Sequence, residues 1–224
     1  MTHSNHRRGT RESLMGDWVV FAAPGTELLG EASKHKKFLE ILTKYDPVNC
    51  TTNTGIEGES KRLRYVKGWT KQKDGGVHQS ATLEEIKGLE KPRGGSALYN
   101  NKKAVESVVK ELVEAELGFS IVISGIFDEV YDVCEKAGIK PHTVNFSGET
   151  LGKMSLLPEP KILEIITMCG HHFVAAKLAK HMIQKVQQGK MTAEDASIEL
   201  AKQCTCNWFN ADRAAKLIKE YVRS

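Results

Sequence analysis

Apolar residues recur along this chain with two periods, and the change from one to the other divides it. In EASKHKKFLEILTKYD (31–46), Phe38, Leu39, Ile41 and Leu42 fall on one side of a helix that Pro47 ends. KKAVESVVKELVEAE (102–116) and IFDEVYDVCEKAG (126–138) repeat that spacing, the second closing at Gly138. Around them the apolar runs are short: DWVVFAAPG (17–25), PVNCTT (47–52), GFSIVISG (118–125) and PHTVNFSG (141–148) read as strands. Residues 118–148 therefore predict strand, helix, strand, a right-handed βαβ unit with parallel strands. The unbroken Ile121, Val122 and Ile123 predict a strand covered on both faces.

Between these segments the pattern weakens. In residues 55–81, Leu63, Tyr65 and Trp69 alternate loosely around the turn signal Asp74-Gly75-Gly76, which predicts a hairpin-like insert. Thr82 and Glu85 fit a capping box opening a short helix, and GLEKPRGGSALYNN (88–101) reads as a glycine-rich loop. Beyond Gly152 no strand pattern remains. Residues 158–168, 171–188, 193–203 and 211–222 read as helices, with Thr192 and Asp195 as a second capping box and Asn210 as a cap for the last.

The fold class expected is α/β or α+β, a small mixed sheet with a parallel βαβ unit followed by an all-helical part. Residues 1–16 form a basic arm, flexible or ordered on contact; 17–150 form the core; and 151–224 form a helical subdomain packed on it. The 32 basic and 28 acidic residues leave a formal charge of +4, too mild an excess to argue for nucleic acid. No apolar run reaches the roughly 20 residues of a membrane span, and no apolar stretch follows the N-terminal arginines, so neither membrane nor secretory signal is expected. Five cysteines make no disulfide framework, so a reducing cytoplasm is the expected compartment.

Chemistry concentrates near the end of the chain. On a helix over 171–188, Val174, Ala175, Leu178, Ala179, Met182 and Val186 form the apolar face, with His171 inside it and His172 at its edge. Both imidazoles then sit in the first turn, next to Cys169, where the helix dipole disfavours imidazolium and favours thiolate. Cys169, His171 and His172 are the catalytic candidates. In KQCTCNWFNADRAAKL (202–217), Cys204 and Cys206 fall on a turn that an antiparallel helix bundle returns toward Cys169. Cys169, His171, Cys204 and Cys206 form a soft donor set suited to zinc or an iron–sulfur cluster, without the paired Cys-x-x-Cys knuckles that would make the signature strong.

A second candidate surface is the carboxyl edge of the expected parallel sheet, where open α/β folds collect ligands. Ser124, Asp128, Asn145, Ser147 and Lys153 are the substrate-binding candidates there, with Lys153 placed to neutralise an anion. The reading is a metal- or iron–sulfur-dependent enzyme acting on a small anionic molecule. A non-enzymatic metal-binding or accessory protein and a metal-free cysteine enzyme remain as alternatives, and a homo-oligomer stays open.

Overall fold

The computed structural model describes residues 7–54, 61–69, 78–145 and 150–223. Its centre is a six-stranded mixed sheet in the order β4-β3-β2-β5-β1-β6. The strands are β1 (Trp18–Ala23), β2 (Asn49–Thr54), β3 (Arg62–Val66), β4 (His78–Ser80), β5 (Pro92–Tyr99) and β6 (Ser120–Ser124). The helices are α1 (Arg11–Leu14), α2 (Ala32–Lys44), α3 (Leu83–Lys87), α4 (Lys102–Glu114), α5 (Phe127–Lys136), α6 (Pro160–Ile166), α7 (Ala176–Gln187), α8 (Ala193–Ala201) and α9 (Ala211–Arg223). Mixed sheet with a parallel pair, then helices: the fold class read from the pattern is the one found. Among the described residues no helix is long and apolar enough to cross a membrane.

Strand alternation makes three layers, because successive side chains leave opposite faces of the sheet. Trp18, Val20, Ala97 and Tyr99 point into the layer of α2 and α4, with Phe38, Ile41, Val105 and Val108. Val19, Val48, Val66 and Leu98 point the other way, into the core shared with α6–α9. Each side chain of the size of valine or leucine buried this way contributes about 1.5–3 kcal/mol. Local signals start the helices as expected: the Thr82–Glu85 capping box forms, Asn101 Oδ1 accepts from the Ala104 N–H at 2.8 Å, and Asn210 Oδ1 accepts from the Arg213 N–H at 3.0 Å.

Residues 7–16 are packed against the body. Arg7 and Arg213 both pair with the buried Asp17 carboxylate, Arg213 at 2.9 Å, and Arg213 Nε also donates to Ser13 Oγ. Arg213 Nη2 donates to the Arg8 carbonyl, so the arm is clamped to α9. Residues 1–6 of the expected arm lie outside the described residues.

Five expectations are corrected. Residues 88–101 are not a loop: Pro92–Tyr99 is a central strand, paired with β2 on one side and β1 on the other. Its glycines serve the sheet, since Gly94 takes φ +64° and the β2–β5 register shifts between Thr51 and Asn53. The insert is not a hairpin, because β3 and β4 run parallel with Arg62 opposite His78; its turn signal at 74–76 lies outside the described residues. A parallel pair needs the chain carried back before it pairs, which a tight turn cannot do.

The parallel βαβ unit is absent as drawn. β6 pairs antiparallel with β1, Val19 opposite Ser124, and residues 141–145 form no strand, while 146–149 lie outside the described residues. β6 is accordingly an edge strand, half-buried rather than covered on both faces. Finally, α7 begins at Ala176, so His171 and His172 precede the helix; His172 takes φ +58°, which a right-handed helix cannot contain.

Candidate functional site

Two turns bring the thiols together. The first follows α6: the Cys169 N–H donates to the Ile166 carbonyl at 3.2 Å, and the Cys169 carbonyl accepts from the His172 N–H at 3.0 Å. The second follows α8: the Cys204 N–H donates to the Ala201 carbonyl at 3.0 Å, and the Cys204 carbonyl accepts from the Asn207 N–H at 3.2 Å. Cys169 and Cys204 are fully buried and Cys206 is 7% exposed. Cys204 Sγ and Cys206 Sγ stand 3.4 Å apart, and Cys169 lies near enough to Cys204 for the two thiols to shift each other's acidity.

The second turn is fixed to the sheet. Asn207 is buried at φ +62°, and its Nδ2 donates to the Cys50 carbonyl at 3.0 Å and the Tyr65 carbonyl at 2.9 Å, bridging β2 and β3. Asn49 Nδ2 donates to the Asn207 and Phe209 carbonyls at 3.0 and 2.6 Å, and Arg64 Nη1 to the Cys204 carbonyl at 3.3 Å. Trp208 Nε1 donates to Ser96 Oγ at 2.8 Å, and its ring lies 4.9 Å from that of Phe21. Sequence reasoning missed Asn207, Asn49, Arg64 and Arg7 here. Only Asn207 carried a signal, asparagine being the non-glycine residue that most readily takes positive φ.

The thiols form a series with unequal acidity. Cys169 is held up first by its hydrogen bond with Cys204 and then by burial. Cys204 is lowered by the neighbouring Cys169 thiol but raised by Cys206 and by burial, ending at about 11. Cys206 is lowered by the Cys204 thiol, and the Trp208 amide and Arg7 charge work in the same direction against burial. Cys206 is therefore the most acidic of the three thiols. Backbone amides work against burial at each sulfur, those of Phe173 and His171 at Cys169 and that of Trp208 at Cys204 and Cys206.

Of the sequence candidates, Cys169, Cys204 and Cys206 thus come together. His171 reaches Cys169 through its backbone amide, while its half-buried ring stacks on Phe173 with centroids 5.5 Å apart. His172 is exposed. Among the described residues no group of three or more His, Cys, Asp or Glu side chains is arranged to hold a metal ion.

The other candidates lie elsewhere. Ser124 and Asn145 line a cavity of about 760 Å³ beside β6. Asp128 is exposed and engaged by Arg11 through bonds of 3.0 and 2.8 Å, and Lys153 is exposed before a single 3₁₀ turn at Met154–Leu156. Ser147 lies outside the described residues. The thiol turn rests on β2 and β3, three to four strands from β6, which at about 4.8 Å per strand separates the two sets by roughly 14–19 Å. They are two sites. No family model, no curated protein and no solved structure matches the chain.

Proposed function

We propose that the chain is built around a thiol centre in which Cys169, Cys204 and Cys206 hold a zinc ion or an iron–sulfur cluster used in chemistry on a small anionic molecule. What supports the reading is the convergence of three buried thiols from two separate turns. Thiolates select zinc and iron–sulfur clusters, and three protein ligands leave a tetrahedral ion one open position. Zinc would supply an activated water or a Lewis acid, and a cluster would supply electron transfer. The same donors without substrate chemistry would make an accessory metal-binding protein.

A second reading is favoured by one distance. Cys204 and Cys206 at 3.4 Å need a modest approach to form a disulfide of about 2.05 Å, with Cys206 as the more acidic partner, so the pair suits two-electron dithiol chemistry. That is the form a metal-free cysteine enzyme takes here, with Cys206 rather than Cys169 as nucleophile.

Anaerobic purification, metal analysis and a visible spectrum decide between them. The first reading expects about one zinc, or cluster iron with visible absorption, per chain. Cys204→Ser and Cys206→Ser should each lose it, and the double variant should melt no lower than the worse single, since one site is lost once. Cys50→Ser, whose side chain belongs to the opposite layer with Leu39 and Ile86, should retain it. A metal-free, colourless protein that takes up neither zinc nor iron and sulfide overturns the first reading, and loss of two titratable thiols on mild oxidation then identifies the second.

A further inference from the structure

The cavity beside β6 serves none of the thiol chemistry, and its walls are built for a different ligand. On α5, Phe127, Val130 and Tyr131 recur at the spacing that shares one helix face, and all three line the cavity. Phe127 is 46% and Tyr131 40% exposed, although the same helix buries Val133 and Cys134. Ile121 and Ile123 from β6 and Leu112 from α4 complete an apolar wall. At about 760 Å³ the space falls within the roughly 300–1,000 Å³ of small-molecule sites, with the composition such sites share: apolar walls and few polar groups.

Ser124, at the end of β6, and Asn145 add polar groups to the lining, and a hydrogen-bonded set lies where β6 begins. His142 Nδ1 faces Thr143 Oγ1, and Nε2 stands 3.4 Å from Ser120 Oγ. When the Thr143 hydroxyl donates to Nδ1, the imidazole carries its proton on Nε2 and donates to Ser120, which leaves the Ser120 hydroxyl proton to point elsewhere. That end of the cavity then offers a donor and wants an acceptor. Lys140 and Glu116 both line the cavity, so hydrogen bonding rather than net charge selects the head group.

We infer that this cavity binds a single acyl chain, its hydrocarbon against Phe127, Val130, Tyr131 and Ile123 and its carbonyl oxygen accepting from Ser120. Burial of the chain provides affinity and the Ser120 donor provides orientation. The free acid and its ester share this chemistry.

The test titrates the full chain with the fluorescent polyene acid cis-parinaric acid, displaced by dodecanoic acid, methyl dodecanoate or dodecane. Expected are saturable binding of one probe per chain and displacement by acid and ester at roughly fivefold lower concentration than by dodecane, the worth of about one hydrogen bond. Displacement by the acid alone or the ester alone identifies which form the site takes. Val130→Trp, which fills the cavity, should abolish binding. Ser120→Ala, an exposed change that leaves the walls intact, should weaken acid and ester about fivefold and leave dodecane unchanged. Absence of saturable binding, full affinity in a folded Val130→Trp, or a Ser120→Ala effect equal for all three competitors overturns the proposal.

Discussion

Replacing Asn207 tests whether the thiol turn is held by the sheet. Its Nδ2 makes two buried hydrogen bonds, 3.0 Å to the Cys50 carbonyl and 2.9 Å to the Tyr65 carbonyl, and its backbone occupies φ +62°. Asn207→Gly keeps the backbone accessible and removes only the side chain. At roughly 1 kcal/mol net per hydrogen bond, the expected loss is about 2 kcal/mol. Asn207→Ala removes the same bonds and adds the left-handed strain of a Cβ, about 1 kcal/mol more. With a urea dependence of about 2 kcal/mol per molar, the midpoints should fall by about 1 M for Gly and 1.5 M for Ala, at unchanged slope. Tryptophan fluorescence follows the unfolding, and Cys206 should alkylate faster in both native variants as the turn loosens. Equal midpoints for Gly and Ala would refute the backbone argument; losses below about 0.5 kcal/mol in both would refute the latch itself.

Asp17→Asn leaves Arg7 and Arg213 buried without their shared carboxylate and should cost about 3–5 kcal/mol in thermal or urea unfolding. A loss under 1 kcal/mol would show that the N-terminal arm is not clamped by this pair. His35 is buried, its Nδ1 accepting from the Gly94 N–H at 3.1 Å and its Nε2 bonded to the Leu28 carbonyl at 3.0 Å, and burial lowers its pKa. A histidine whose folded pKa lies below the unfolded value near 6.5 contributes fully above about pH 6.5 and is lost as pH falls through the folded value. The urea midpoint should therefore fall more between pH 7 and pH 5 in the native chain than in His35→Gln, and parallel pH profiles would contradict the assignment.

Helices were legible because their signal is local. The 3.6-residue recurrence in 31–46, 102–116 and 126–138 and the caps at Thr82, Thr192 and Asn210 depend on nothing distant, and α2, α3, α4, α5, α8 and α9 start close to where these place them. Strand order was not legible. β5 hides behind a proline and two glycines that serve a bulge, and nothing local tells β6 that its partner is β1 rather than residues 141–148. His171 and His172 were misplaced because apolar spacing from Val174 onward extends backward across a turn whose decisive feature is one backbone angle at His172. The approach of Cys169 to Cys204 followed from helices running away and returning; the latch over β2 and β3 did not, since it depends on tertiary contacts of Asn207 and Asn49.

Backbone geometry singles out the thiol turns independently of their sulfur. Among the described residues the non-glycine positions with positive φ are Asp46, Glu116, His172 and Asn207. Asp46 and Glu116 directly follow the C-caps of α2 and α4, where a left-handed residue commonly ends a helix. The other two close no helix in this way: His172 stands three residues after Cys169, and Asn207 immediately follows Cys206. Each such conformation costs on the order of 1 kcal/mol and persists only where surrounding contacts over-determine it. At Asn207 those contacts are visible as four hydrogen bonds to β2 and β3 and within the turn. At His172 the backbone N–H to the Cys169 carbonyl closes the turn that carries Cys169. Packing three thiols as small apolar groups would require neither reversal. Amides near the sulfurs oppose burial at each thiol, and at Cys206 the balance falls toward thiolate, the form that binds a soft ion or attacks a disulfide.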